Sequence, residues 1–273
     1  MATTTEAPPR QTLFLRNATG LVKAWSTFDA FLYAFWSVNL VTLGLNRRYS
    51  PMVDRLRKSV EGDIDFVEYL ITQPFLPADH WTLDPIDGGG RLIAEGEHFI
   101  DLCNLLIGKE PLSVTARALG KMPDDLRTLC AFSLTLHYEG AAATVVFNES
   151  GAASFPQERV TVLGRGQVAI LDDFAKLTVH GQKVAKRGRR LRKSMGHAEE
   201  LEQFVRAVQG KPNELLSWEG ASLATTAMFA AQESIRLGVE IDLATFRSAL
   251  LAEQDAKGEM VPDEKVSDGA ASD

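Results

Sequence analysis

The spacing of apolar and polar residues changes several times along the chain, and each change predicts an element. Apolar residues recur at helical spacing over 22–33, and 38–45 is a short apolar run of strand character. Ser50-Pro51 offers a helix-capping hydroxyl followed by a proline suited to the first helical position, and the helix it opens places Val53, Leu56 and Val60 on one side. Residues 65–72 alternate as a half-buried strand does. Gly88-Gly89-Gly90 then breaks the chain before a strongly helical stretch, 91–107, closed by Gly108. Strand candidates follow without a helix among them, at 112–118, 131–138, 143–148, 159–163, 168–171 and 176–180. Two helices come last: 197–209, with Leu201, Phe204, Val205 and Val208 along one face, and 219–237, ended by Gly238. This succession predicts an α+β fold, an open, mostly antiparallel or mixed β-sheet with helices covering one face. No repeat of fixed period interrupts it. The ends differ: 1–39 reads as a tail carrying one atypical helix, 40–245 as the domain, and 246–273 as an acidic tail, rich in small residues from Ala252 onward.

Composition narrows the partners. At 45% hydrophobic and 24% charged, 273 residues suffice for a substantial core in a soluble globular protein. A formal net charge of -7 argues against nucleic acid, whose binders draw affinity from Lys and Arg on phosphates. The two cysteines, Cys103 and Cys130, each lie in an apolar run and predict reduced core residues of a cytoplasmic protein. His80, His98, His137, His180 and His197 lack ligand spacing, so no metal is expected. The first sixteen residues do not have the pattern of a secretory signal. The stretch 28–45 is the most apolar, but Asp29 and Asn39 interrupt it and it falls short of the ~20 apolar residues of a membrane helix. An anchor to a membrane or partner through it stays an alternative.

The helix after the triple glycine carries the candidate chemistry. Arg91, Glu95, His98 and Leu102 are spaced four, three and four apart and share one face. An imidazole there can exchange a proton with a substrate hydroxyl near neutral pH, and Glu95 can orient the ring or raise its basicity. The glycines allow substrate or backbone to approach the helix start. A half-buried, hydrogen-bonded His98 beside a solvated Arg91–Glu95 pair would show the same spacing, and spacing alone leaves both open. Gly164-Arg165-Gly166-Gln167-Val168-Ala169 superficially fits a dinucleotide loop, but a strand follows where a helix would have to start, so a hairpin turn is expected. The basic run from Lys183 to Lys193 is a solvated loop or a grip for a phosphate-bearing ligand or an acidic partner.

Six phrases in fixed order carry a family resemblance: Gly44-Leu45-Asn46-Arg47-Arg48-Tyr49-Ser50-Pro51, Pro77-Ala78-Asp79-His80-Trp81, Gly88-Gly89-Gly90-Arg91, Glu95-Gly96-Glu97-His98-Phe99-Ile100-Asp101-Leu102, Leu171-Asp172-Asp173-Phe174 and Gly196-His197-Ala198-Glu199-Glu200-Leu201. Over about 40–243 the chain resembles the C-terminal half of the glucose-fructose oxidoreductase and inositol dehydrogenase (Gfo/Idh/MocA) family, most closely a branch that includes proteins with an appended alcohol-dehydrogenase-like domain. The resemblance implies a substrate and oligomerisation domain whose open sheet serves contacts between copies. It implies His98 acting on the hydroxyl or carbonyl of a sugar, polyol or nucleotide-sugar while hydride passes to or from NAD or NADP, with Arg47, Arg48, Asp79, His80, Trp81 and Arg91 near the substrate. Trp81 could stack on a sugar face. Two departures stand out. Ala94 occupies the position where many members carry an aspartate, and neither a glycine-rich dinucleotide loop nor a Glu-Lys-Pro lysine occurs upstream of Leu40. About forty residues are too few for a cofactor unit whose βαβ element alone takes ~30. The expectation is therefore the substrate half of an oxidoreductase that binds no cofactor by itself and works with a Rossmann-type partner chain. A non-catalytic sugar-binding or assembly module is the alternative.

Overall fold

A computed structural model describes residues 44–60, 62–77, 79–84, 88–152, 154–181 and 193–258, with side chains as far as 252. The helix expected at 22–33, most of the apolar stretch 28–45 and the basic run up to Arg192 lie outside the described residues. A 3-10 turn, η1 (Asn46–Tyr49), leads into α1 (Pro51–Arg57), where the Ser50 hydroxyl accepts from the Met52 amide and Pro51 stands in the first turn. Val53, Leu56 and Val60 are buried together, as their spacing predicts.

Strand β1 (Phe66–Thr72) is followed by the long helix α2 (Gly90–Ile107), then β2 (Ser113–Ala118), β3 (Phe132–Tyr138), β4 (Ala141–Asn148), β5 (Glu158–Gly164), β6 (Gln167–Asp172) and β7 (Lys176–His180). After these come α3 (His197–Val208), α4 (Trp218–Leu237), the short β8 (Ile241–Asp242) and α5 (Leu243–Gly258). Short 3-10 turns η2 (Trp81–Leu83) and η3 (Leu126–Thr128) flank the start of α2.

The strands form one eight-stranded sheet in the order β7-β6-β5-β1-β4-β3-β2-β8. β1 runs parallel to β4 and every other pairing is antiparallel, so the sheet is mixed. One parallel pair in the middle follows from the connection: α2 carries the chain over the sheet face, and β2 and β3 are laid down before β4 returns beside β1. The turn at Arg165-Gly166, with φ of 47° and 73°, joins β5 to β6 as the expected two-residue hairpin.

Period-two alternation divides the sheet faces. Val67, Tyr69, Ile71, Phe132, Leu134, Leu136, Val145, Phe147, Val160 and Val162 point to the helix side and are buried, while their strand neighbours stay half-exposed or exposed. α2 packs on β1 and β4, and α4 packs on α2 and β2. Phe99 of α2 meets Tyr69 edge-on at 5.3 Å, and Phe147 stacks on Phe132 at 5.5 Å. This aromatic layer welds helix to sheet.

One expectation needs correction, and one apolar face is left largely uncovered. The chain beyond 246 does not become tail at once, since α5 continues to Gly258; Leu243 is anchored in the core and Ile241 in the sheet edge, which starts the helix. The apolar face of α3 does not enter the core: Leu201, Val205 and Val208 are exposed, and only Phe204 of the set turns inward to half-burial. Helical spacing creates an apolar stripe but does not choose what covers it. Phe147→Ala, which empties the aromatic layer, is expected to destabilise the fold by about 3–5 kcal/mol. Urea unfolding should show a lower midpoint with an unchanged slope.

Candidate functional site

The polar centre of the molecule is assembled around η1, which lies against α2 on one side and α3 on the other. Asn46 is buried and its amide nitrogen donates to the Met195 carbonyl at 2.6 Å. Ser50 donates to the Ser194 carbonyl at 2.7 Å. Gly196, at φ 87°, follows directly: a Cβ there would lie 2.1 Å from the Asn46 carbonyl oxygen, so only glycine lets the start of α3 come this close.

The two arginines of η1 part company. Arg47 is buried and grips Glu158 of β5 with both Nε and Nη2 at 2.9 Å, while the Tyr69 hydroxyl donates to the same carboxylate. Its guanidinium lies 5.0 Å from the Phe99 ring centre. Arg48 turns the other way and donates to Asp101 of α2 at 2.7 Å. Burial pushes Asp101 up to about 6, against the pull of Arg48 and with help from the negative charge of Glu97. Glu97 is also raised by burial, although the Thr225 hydroxyl of α4 donates to it at 2.9 Å.

His98 and Asp101, three residues apart, share this side of α2. Nδ1 of His98 is buried and has no hydrogen-bond partner among the described residues. Burial first, then the positive charges of Arg47 and His197, pushes the imidazole down to about 3. The ring is therefore neutral at physiological pH, able to accept or donate one hydrogen bond at each nitrogen. The remaining expected residues sit toward the start of α2. Arg91 is buried, donates to Glu149 at 3.0 Å and to Glu95, and lies 5.3 Å from the Phe147 ring centre.

A family model described as the GFO/IDH/MocA C-terminal domain matches residues 52–169, from α1 to β6. Residues 52–169 are a GFO/IDH/MocA C-terminal domain. The inositol 2-dehydrogenase of Rhizobium meliloti (strain 1021) is 27% identical over 136 residues, 46% of this chain and 40% of that protein. The chain thus spans well under half the length of this relative. Two solved structures show the same fold. The aldose-aldose oxidoreductase of Caulobacter crescentus, complexed with glycerol, aligns with TM-score 0.63 at 15% identity, covering 79% of this chain and 67% of that one. An oxidoreductase from Agrobacterium radiobacter, in complex with NAD+, L-tartaric acid and magnesium, aligns with TM-score 0.61 at 17% identity, covering 81% and 71%.

The expected site residues, of which Arg47 and Arg48 precede the matched range, fall into two groups. Arg47, Arg48 and His98 come together around η1 and the middle of α2. Asp79, His80 and Trp81 gather instead near the start of α2, where the His80 Nδ1 accepts from the Thr82 amide at 3.3 Å and Trp81 is 42% exposed. No described hydrogen bond, ion pair or ring contact links those three to His98. The Glu95 carboxylate accepts from Arg91 one turn earlier, and no described hydrogen bond joins it to the imidazole. Leu102, expected on the polar face, is fully buried in the core. The triple glycine admits backbone: a Cβ on Gly88 would meet the Trp81 carbonyl at 2.3 Å and one on Gly90 the Arg127 carbonyl at 2.8 Å.

Glu158, Asp101 and Glu149 were missed as site residues. A signal for two of them is present in the pattern, since Glu158 occupies the inward phase of β5 beside Val160 and Val162, and Asp101 interrupts the apolar run from Phe99 to Cys103. A pyrophosphate does not fit the 164–169 loop, whose glycines close a hairpin between strands and head no helix. Among the described residues no three His, Cys, Asp or Glu side chains are grouped to hold a metal, and no helix is long and apolar enough to cross a membrane.

Removing one partner of the Arg47–Glu158 pair leaves a buried charge without its counter-ion. Arg47→Ala is expected to cost about 3–5 kcal/mol, whereas Arg47→Met combined with Glu158→Leu and Tyr69→Phe should recover most of that loss. Equal destabilisation of both variants in urea would show that lost packing, and not the stranded carboxylate, sets the cost.

Proposed function

We propose that this chain is the substrate-binding half of an NAD(P)-dependent sugar or polyol oxidoreductase, the dinucleotide being held by a unit outside the described residues. The observation that carries the reading is the buried, unsatisfied Nδ1 of His98 on the polar side of α2. A buried hydrogen-bonding atom without a partner costs stability, about 1–3 kcal/mol, unless a ligand supplies the missing bond. A substrate hydroxyl is suited to that place because it both donates and accepts. Arg47 and Arg48 shape the wall around the imidazole through their ion pairs, and Trp81 offers an exposed aromatic face nearer the start of α2.

The kinship with an inositol 2-dehydrogenase and the fold shared with an oxidoreductase solved with NAD+ support the substrate and cofactor classes. The exposed apolar stripe of α3, Leu201, Val205 and Val208, offers area on which a nucleotide-binding unit could dock. The open side of the sheet, with half-buried Leu70 paired across to Val146, supports contact between copies.

A second reading, a sugar-binding or assembly module without chemistry, is favoured by one observation. An imidazole pushed down to about 3 is a weak proton acceptor at neutral pH. Thermal unfolding in the presence of myo-inositol tests the shared part of both readings: a ligand at a hundred times its Kd adds about 2.7 kcal/mol of stability. His98→Ala should abolish that protection. Protection that survives the substitution would remove His98 from the site. Formation of NADH from myo-inositol by the protein joined to its nucleotide-binding unit separates enzyme from module.

A further inference from the structure

The first turn of α3 brings a second unsatisfied polar atom to the same layer. Oε1 of Glu200 is buried and, like Nδ1 of His98, has no hydrogen-bond partner among the described residues; these two are the buried side-chain atoms left in that state. The surrounding charged groups are accounted for. On η1, Arg47 is held by Glu158 and Arg48 by Asp101, while Tyr49 accepts from the Leu216 amide. On α2, Glu97 accepts from Thr225, and Glu95 is held by Arg91 together with Glu149. On α3 itself Glu199 accepts from Ser194, and His197 is exposed at the helix start.

α3 and α2 both lie against η1, so the first turn of α3, which bears Glu200, and the middle of α2, which bears His98, flank the same 3-10 turn. The ionisation of Glu200 is resisted first by burial and then by the negative charge of Asp101 on α2. Two helices packed on one 3-10 turn therefore present two open hydrogen-bonding groups, and the guanidinium groups of that turn are already paired with carboxylates.

We infer that Glu200 is a ligand-binding residue of the His98 site, and that it takes one hydroxyl of a neutral polyol while His98 takes another. The inference rests on the sugar or polyol reading of that site. The charges around it favour a neutral, hydroxylated ligand over an anion: Asp101, Glu97 and Glu200 are acidic, and the guanidinium groups of Arg47 and Arg48 are committed to carboxylates. Burial pushes Glu200 up to about 7, so at mildly acid pH its carboxyl is protonated and can both donate to and accept from a hydroxyl.

The sign of the pH dependence follows. As pH rises from 6 to 8, Glu200 ionises and loses its donor, whereas His98, already neutral, does not change. Asp101 also titrates near 6, so the Glu200→Gln variant, which keeps a neutral donor at all pH, is needed to separate the two.

Calorimetric titration of the full chain with myo-inositol between pH 6 and 8 is the test. Wild-type affinity should fall about tenfold across that range, as expected of a group losing its proton near the middle of it. Glu200→Gln should hold its pH 6 affinity at pH 8, and Glu200→Ala should bind at least about tenfold more weakly at pH 6. A Glu200→Gln protein with the same pH slope as wild type overturns the inference. So does loss of affinity in His98→Ala with both Glu200 variants unchanged, a result that would leave the polyol site standing. Failure of wild type to bind myo-inositol, or equal binding by wild type and His98→Ala, overturns the site reading and this inference with it. Carbon-13 NMR of the labelled carboxyls checks independently of ligand, because a Glu200 that titrates in the ordinary carboxylate range near 4 contradicts the assignment.

Discussion

A buried guanidinium with two parallel hydrogen bonds to a buried carboxylate is the constraint around which the polar half of this molecule is organised. Neither charge could remain in the interior alone, since the cost of stripping water from each ion is several kcal/mol and only close pairing offsets it. Arg47 and Glu158 meet at 2.9 Å through both nitrogens, and the Tyr69 hydroxyl occupies a further lone pair of the carboxylate. The planar fork of arginine fixes direction as well as distance. η1 is thereby clamped to the sheet, and the next residue, Arg48, is left pointing at Asp101 on α2. Adjacent arginines thus tie a single turn to two layers.

From that clamp the rest of the site follows by packing. α2 is fixed over the sheet by Phe99 against Tyr69 and Phe147. α3 is drawn against η1 through the close contact at Gly196 and the hydrogen bonds of Asn46 and Ser50 to the segment before it. The result is a helix with a divided character. Its inner side supplies Glu200 to the polar layer, and its outer side exposes Leu201, Val205 and Val208. Most of the apolar stripe is thus left on the outside, with only Phe204 of the set turned inward to half-burial.

Burial governs the electrostatics of the layer. Burial raises Asp101, Glu97 and Glu200 and lowers His98, so the groups left open are those that carry no charge at neutral pH or lose it readily. Low polarity around them strengthens each hydrogen bond they make and raises the cost of leaving it unmade.

Local rules determined most of the framework. Alternation placed β1 to β7 within one or two residues, though not the two-residue β8, Ser50-Pro51 and Gly108 marked helix ends, and the paired glycines at 164 and 166 declared a hairpin, because each depends on neighbours within a few positions. His98, Arg47 and Arg48 were legible as candidates for the same reason, by spacing and by resemblance. Partners were not. Glu95 is as well spaced for His98 as for Arg91, and only the packing of α2 against β4, which brings Glu149 beside Arg91, decided for the arginine. Glu158 stands 111 residues from Arg47, and Glu200 lies on a helix whose spacing names an apolar stripe but not what covers it. Burial, and with it the protonation of Glu200 and His98, is a property of what surrounds a side chain in space, so the sequence alone determined the elements while the tertiary structure decided which charges meet and which polar atoms are left open.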